Sequence, residues 1–336
     1  MQYYYLIAGL TEYPFDIDNV VSGGLRVDVP QVKAQVMGEL SPGDRRAVEL
    51  LYTYYDIENI VGYVRGSKLP FNVLGNLSRE DVKLLVDRSV DGQDGAGQLL
   101  PEELAEREAE LAVPGAVRAI VDRFRGRNGE DGGAPEPDDF APLGVDDLER
   151  ELFLSFYRAC GAVSQGSGGG FSLSDLRPGS FTVPEYLRQW AEYDRTVRNI
   201  VAAFMARQLG LTAEQKEGMI VEPNAERRDA LINGQAQDFG MKDVFPYSEE
   251  LLQVLETADF VERERRMDAL RVQMADDLAE HDYFGIGRVM DYLIRLNILH
   301  RWASLDAERG RGTFREMVSA LTDPEKIAES VSAKEQ

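Results

Sequence analysis

The chain has 336 residues, of which 43% are hydrophobic, so it carries enough apolar surface for a sizeable core. Its 37 Lys and Arg residues against 59 Asp and Glu residues leave a formal charge of −22. This charge disfavours nucleic acid and anionic lipid as partners and favours a basic protein surface. The single cysteine, Cys160, excludes an intrachain disulfide and fits a reducing compartment. No stretch approaches the roughly 18 apolar residues that span a bilayer.

The N-terminal residues predict a short extended segment. Tyr3 to Leu10 is apolar, and Gly9 and Pro14 close it, a pattern that predicts a strand or a buried extended stretch. The segment is short and has no basic leader, so we do not expect a signal peptide. Gly23 and Gly24 then predict a turn.

The first strong helical pattern runs from Asp44 to about Arg65. Aromatic and aliphatic residues recur there at a spacing of three or four, and Gly66 ends the pattern. Ser78, with Asp81 three positions later, predicts the capped start of a second, short helix.

A polar region follows and predicts an insert. The glutamate-rich run from Glu102 to Glu110 predicts the solvated face of a helix, and Pro114 predicts the start of another. Residues 125–145 are rich in Gly, Asp and Pro, a composition that cannot bury a core and predicts a flexible linker.

The rest of the chain predicts helix after helix, with a loop at Gly166 to Gly170. No alternation of strands with helices is present, so we expect an all-α protein. The predicted helices begin near Asp146, near Pro184 (ending at Gly210), after Asn224 (to about Gly234), at Ser248 (to about Thr257), at Ala258 (to about Glu280), at Phe284 (to about Leu305) and near Thr313.

One helix pattern occurs three times: a Tyr, then Asn-Ile, then an Arg near the helix end, with a Gly break soon after. The Tyr-to-Asn spacings are four, six and five, and the Asn residues are separated by 140 and 98 positions. The difference of 42 is about the length of the insert, which predicts an internal repeat. The three sets are Tyr55, Asn59 and Arg65; Tyr193, Asn199 and Arg207; and Tyr292, Asn297 and Arg301.

The repeat predicts a division of the chain into five parts. These are a first helical repeat at 1–100, an acidic helix and linker at 101–145, a second repeat at 146–236, a third repeat at 237–325 and a polar tail at 326–336.

The three Asn residues are interpreted as structural. An amide on or beside the apolar face of a helix can bond the backbone of a neighbouring helix and fix how the two pack. The alternative is that these are ordinary amphipathic helices in which chance supplies the Asn. A catalytic role is disfavoured because no nucleophile–base pair accompanies them.

The sequence contains no pattern for bond chemistry, and we expect no catalytic residue, cofactor or metal. His281 and His300 are the only histidines, which excludes a three-His site within one chain. Gly166 to Gly170 lacks the Lys-Ser/Thr of a phosphate loop. Cys160 is interpreted as a buried structural thiol. The acidic residues Asp276, Asp277 and Glu280 could bind a cation, but they are more typical of a solvated helix face.

Six motifs together resemble a bacterial family of uncharacterised proteins, the DUF2764 type. The resemblance covers nearly the whole chain except the insert. The motifs are Tyr3 to Leu10, Tyr55 to Asn59, Arg198 to Ile200, Asp238 to Gly240, Glu262 to Glu264 and Arg301 to Asp306.

That family is similar in turn to the C/d-type central-stalk component of V/A-type ATPases, which carries the letter C in the bacterial and archaeal enzymes and d in the eukaryotic one. The resemblance implies a funnel of three helical bundles that sits on the membrane rotor ring and receives the end of the central shaft. It also implies that the N-terminus should be helical, whereas the residues here predict an extended segment. The insert has no counterpart in that ATPase component.

The resemblance implies a non-catalytic central-stalk adaptor. Its partners would be the D/F-type shaft subunits and the rotor ring, on the cytoplasmic side of the inner membrane, in a machine that moves protons or sodium. We expect no nucleic acid, no membrane insertion and a monomer when alone. The alternative is a stand-alone helical adaptor, derived from that component, with another partner. An enzyme with a buried carboxylate site between helices ranks far below both.

Overall fold

The computed structural model describes residues 2–87, 107, 111, 113–128, 143–161 and 182–305. None of these residues lies in a strand, and the all-α prediction is confirmed. The described helices are α1 (Tyr4–Gly9), α2 (Ile17–Gly23), α3 (Val29–Glu39), α4 (Pro42–Val64), α5 (Arg79–Asp87), α6 (Gly115–Asn128), α7 (Val145–Ala159), α8 (Glu185–Gln208), α9 (Ala213–Met219), α10 (Ala225–Asn233), α11 (Ser248–Leu255), α12 (Phe260–Ala279) and α13 (Ile286–Ala303).

The extended N-terminal segment predicted from the sequence is wrong, because Tyr4–Gly9 is helix α1. A helix of this length is not stable alone, so tertiary contacts must hold it. The backbone N–H of Tyr3 donates to the Phe284 carbonyl at 2.6 Å, and the Tyr3 hydroxyl donates to Asp44. Tyr3 itself is buried. The physical reason for the error is that these partners lie far away in the sequence.

The predicted long helices occur close to their predicted bounds, because local signals define their ends. Ser41 Oγ accepts from the Asp44 N–H at 3.2 Å at the start of α4. Gly66 and Gly210 follow α4 and α8 with φ of 61° and 65°, a conformation that glycine adopts without strain. Asn224 caps α10 through the Arg227 N–H.

Some predicted bounds need correction. Helix α6 continues to Asn128, so the linker predicted from 125 begins too early. The sequence patterns also gave no prediction of α3 or the short α9, although Asp28 and Thr212 cap them. The rest of the linker, the loop at Gly166 to Gly170 and the helix predicted near Thr313 lie outside the described residues.

The core lies between the long helices α4, α7, α8, α12 and α13, which pack on one another. The first residues of α4, α8 and α13 gather at one end of the molecule. Tyr3 reaches both Asp44 in α4 and Phe284 just before α13. Tyr186 in α8 packs so closely on Gly287 that a Cβ there would lie 3.2 Å from the Tyr186 ring. We call this the shared N-terminal end.

Within the described ranges, no helix combines the length and the apolar character needed to cross a membrane.

Candidate partner-binding recess

Two of the three predicted Asn residues make the same pair of hydrogen bonds. Asn59 accepts from the Asn72 N–H at 2.8 Å and donates to the Asn72 carbonyl at 2.9 Å. Asn199 accepts from the Val221 N–H at 2.8 Å and donates to the Val221 carbonyl at 3.0 Å. Each amide therefore satisfies both backbone groups of one residue in the segment that follows its own helix, rather than the backbone of a neighbouring helix.

Asn297 acts differently from the other two. Its side-chain carbonyl accepts from the Tyr52 hydroxyl at 3.0 Å, and both residues are buried. Burial raises the pKa of Tyr52, so the hydroxyl keeps its proton and remains a donor. This bond ties α13 to α4 side chain to side chain.

The segment that Asn59 holds is also fixed by Asp56, one turn earlier on α4. The Asp56 carboxylate accepts from the N–H groups of Asn76 and Leu77 at 2.7 and 2.9 Å. Burial raises the pKa of Asp56, and these bonds partly offset that effect. Gly75 passes so close that a Cβ would lie 2.5 Å from Asp56 Oδ1, so only glycine fits.

Lys33 from α3 completes this anchor from the other side. Its buried ammonium donates to the carbonyls of Leu74 and Gly75 at 2.8 and 3.2 Å and to Asn76 Oδ1 at 3.2 Å. It also lies 3.8 Å from the centroid of the Tyr52 ring, a cation–π contact. Burial lowers the pKa of Lys33 to about 8.

The segment after α8 is anchored by a buried ion pair between Arg195 and Glu222. Glu222 Oε1 also accepts from the Asn224 N–H at 2.9 Å, which places Asn224 to cap α10. The segments after α4 and α8 are thus both held by an Asn amide and a charged side chain from the preceding helix.

The three predicted arginines bind three different structures. Arg65 pairs with Asp146 and Glu149, both at 2.8 Å. Arg207 donates to the carbonyls of Gly234 and Ala236 and stacks over the Phe239 ring at 4.0 Å. Arg301 pairs with the buried Asp268, which also accepts from Trp302 Nε1 at 2.7 Å.

The three predicted tyrosines all pack at least partly inside the protein. The Tyr55 ring lies 5.7 Å from the rings of Tyr52 and Tyr54. Tyr193 makes edge contacts with Phe245 and Tyr247 at 5.6 and 5.8 Å. Burial raises the pKa of Tyr292 to about 12. The structure does not bring the nine predicted residues into one site.

A different set of side chains does converge, between α4, α7, α8 and α12. The Tyr157 hydroxyl donates to Asp194 at 2.8 Å, and the Arg198 guanidinium lies 3.8 Å from the Phe153 ring centroid. Burial raises the pKa of Tyr54, and nearby charges on α4, α8 and α12 act on it as well. The members of this set, which we call the central recess, are Tyr54, Glu58, Tyr157, Asp194, Arg198 and Arg271.

The surroundings of Glu58 indicate that the site is a recess rather than a closed core. Glu58 is exposed to solvent, yet burial is the largest cause of its raised pKa. Both hold for a carboxylate in a water-filled concavity with protein walls, where solvent reaches the group but cannot surround it. The side chains of Arg198 and Arg271 keep 26% and 29% of their surface exposed.

The sequence holds a signal for this recess beside the repeated Asn positions. Glu58 and Arg198 each directly precede an Asn that holds a following segment, and Tyr54 and Asp194 each lie one helical turn earlier. Positions four apart share a helix face, so these pairs point the same way from α4 and α8. Arg271 carries no comparable signal, because only the packing of α12 brings it there.

The recess can bind charged and aromatic groups, since it presents carboxylates, guanidinium groups and phenol rings together. Within the described ranges, no cluster of His, Cys, Asp or Glu is placed to hold a metal ion. The Cys160 thiol is buried, which raises its pKa well above the ordinary value and keeps it protonated and unreactive.

The fold belongs to the class of all-helical proteins. The chain is a member of the family described as "Protein of unknown function (DUF2764)", which matches residues 1–105 and 182–324. No curated protein matches the chain. The family match includes α4, α8 and α12, which line the recess, and leaves out α7, which contributes Tyr157.

Proposed function

We propose that this protein is a non-catalytic central-stalk adaptor of a V/A-type ATPase, which couples the rotating shaft to the membrane rotor ring during proton or sodium transport. The central recess carries this proposal. One helix from each of the three predicted repeats contributes to it: α4, α8 and α12. A recess shared by three bundles is what a funnel-shaped receptor for a shaft end requires.

The chemistry of the recess fits a polypeptide better than a small reacting molecule. Glu58 and Asp194 can pair with basic side chains, and Arg198 and Arg271 with acidic ones, while Tyr54 offers an aromatic face. A helix end bears both charges and the backbone carbonyls that guanidinium groups bind. The six members of the recess include no nucleophile paired with a base.

The walls of the recess are suited to transmit torque. The Asn59 and Asn199 amides, the Lys33 ammonium and the buried Arg195–Glu222 pair hold the segments that follow α4 and α8. A close-packed body with satisfied internal hydrogen bonds resists deformation. The N-terminal helix α1 also agrees with the helix that the resemblance to the C/d-type ATPase component implies.

In this proposal the protein is a monomer alone and binds on the cytoplasmic side of the inner membrane. Its formal charge of −22 would attract basic loops of the ring. Raised salt should then weaken assembly, because it screens exposed charges. Assembly that is insensitive to salt would contradict this electrostatic part.

The test is affinity purification of the tagged full-length protein from membranes of its native host, followed by mass spectrometry. We expect shaft and ring subunits to copurify. Glu58→Gln should reduce recovery of the shaft, whereas Glu217→Gln, which removes an equal charge from the exposed face of α9, should not. Circular dichroism would establish that both variants fold.

Failure to recover any shaft or ring subunit would refute the proposal. Recovery of a different partner, lost in Glu58→Gln, would instead identify the stand-alone adaptor that derives from the same fold.

A further inference from the structure

Four aromatic side chains form an exposed patch at the shared N-terminal end. Tyr5 is 95% exposed, Tyr283 65%, Tyr4 49% and Phe284 40%. The Tyr4 and Phe284 rings lie 4.4 Å apart, and the Tyr3 N–H to Phe284 carbonyl bond holds their two chain segments together. A contiguous exposed aromatic surface built from distant segments is typical of an interaction site.

The patch is not explained by folding. Tyr3 anchors α1 through its buried ring and its bonds to Phe284 and Asp44. Tyr5 contributes almost no buried surface, so its ring gains little from the fold. A side chain with this exposure on a docked helix is available to a partner.

Carboxylates surround the turn that carries half of the patch. The last turn of α12 contains no basic residue, and acidic groups there face the negative end of the helix dipole. Asp276 pairs with Arg288, Asp277 accepts from Tyr247, and Asp282 accepts from the Gly287 N–H. The Glu280 side chain is exposed and has no hydrogen-bond or ion-pair partner among the described residues.

We propose that Tyr4, Tyr5, Tyr283, Phe284 and Glu280 dock an arginine-bearing basic segment of a partner protein. A guanidinium group stacks on aromatic faces and pairs with a carboxylate at the same time, while its aliphatic stem covers the rings. A cation next to Glu280 also relieves the unfavourable field at the end of α12.

Charge selects this occupant over others. A second copy of the chain carries the same formal charge of −22, and nucleic acid and anionic membranes are negative as well, so all three are repelled. A basic polypeptide is attracted.

The proposal does not depend on what occupies the central recess. Asp44, which anchors the patch end through Tyr3, and Glu58 are 14 residues apart on α4. At a rise of about 1.5 Å per residue, the patch end and the recess are roughly 20 Å apart along the helix. Each site can therefore be altered without touching the other.

The test uses the full-length protein and a fluorescent peptide of alternating arginine and alanine, with binding measured by anisotropy. Tyr5→Ala and Phe284→Ala keep the net charge, so any loss reports on the patch and not on bulk electrostatics. We expect each to weaken binding about tenfold. Leu209→Ala, an exposed residue after α8, is the matched control and should bind normally.

Two further comparisons sharpen the result. Glu280→Gln should weaken binding, whereas Glu217→Gln and Glu58→Gln, which remove the same charge elsewhere, should not. A matched lysine peptide should bind more weakly than the arginine peptide, because ammonium groups stack poorly on rings. Wild-type affinity in the folded Tyr5→Ala variant, or equal affinity for both peptides, would overturn the proposal, as would no binding at all.

Discussion

The side-chain amide of Asn59 bonds both backbone groups of Asn72, at 2.8 Å from the N–H and 2.9 Å to the carbonyl. The helix that lines the recess thereby holds the segment that follows it, 13 residues later. Asn199 does the same for Val221. The stability of the walls should therefore depend on these two amides.

Asn59→Asp should destabilise the protein by about 2–3 kcal/mol. The substitution keeps the shape and the acceptor but replaces the donor with a charged oxygen that faces the Asn72 carbonyl. Urea denaturation followed by circular dichroism measures the loss. Asn19→Asp on the exposed face of α2 is the control and should change stability by less than about 0.5 kcal/mol. Equal effects of both changes would contradict the anchoring role.

Lys33 should make stability depend on pH in the alkaline range. Its pKa falls from 10.5 to about 8 on folding. Between these values the unfolded chain binds more protons than the folded protein, so the contribution of Lys33 to the free energy of unfolding rises with pH. The change is about 3 kcal/mol in total, from roughly 1.4 kcal/mol per pKa unit.

This contribution is measured as the difference in unfolding free energy between the wild type and Lys33→Met. A difference is needed because buried Cys160 and Tyr52 have raised pKa values and act in the opposite direction at high pH. The difference should grow from about pH 8 to pH 10.5. A flat difference across that window would show that the ammonium titrates as it does in water.

Gly75→Ala should cost about 1–3 kcal/mol, because its Cβ would lie 2.5 Å from Asp56 Oδ1 and 3.3 Å from Asn59 Nδ2. The matched control is Gly38→Ala in α3, where a Cβ meets nothing within 4 Å. That change should stabilise the protein by up to about 1 kcal/mol through helix propensity. Thermal unfolding of the two variants should move in opposite directions. A tolerated Gly75→Ala would contradict the tight approach of this segment to α4.

Much of the helical architecture was predictable because helix ends are local. Ser41, Ser78 and Asn224 accept from backbone N–H groups three residues later, and Gly66 and Gly210 end helices with positive φ. Such signals need only a few neighbouring residues. Helix α1 was not predictable in this way because its stabilising partner, Phe284, is remote in the sequence.

The candidate site was predictable only in part. The repeated Asn positions mark two of the helices that line the recess, and Glu58 and Arg198 stand immediately before Asn59 and Asn199. The nine residues of the repeat pattern nevertheless serve separate contacts, and the pattern did not predict the convergent set. A periodic pattern reports which face of a helix is buried, but it contains no information about which other helix will face it.

The sequence by itself determined an all-helical, strongly acidic chain, the bounds of its long helices and the positions of the Asn residues, because these follow from composition, caps and local spacing. Only the tertiary structure decided that Asn59 would hold Asn72, that Asn297 would meet Tyr52, and that Arg271 would join the recess. Those outcomes depend on side chains brought together from helices far apart in the chain, and their energies arise only once the helices have packed.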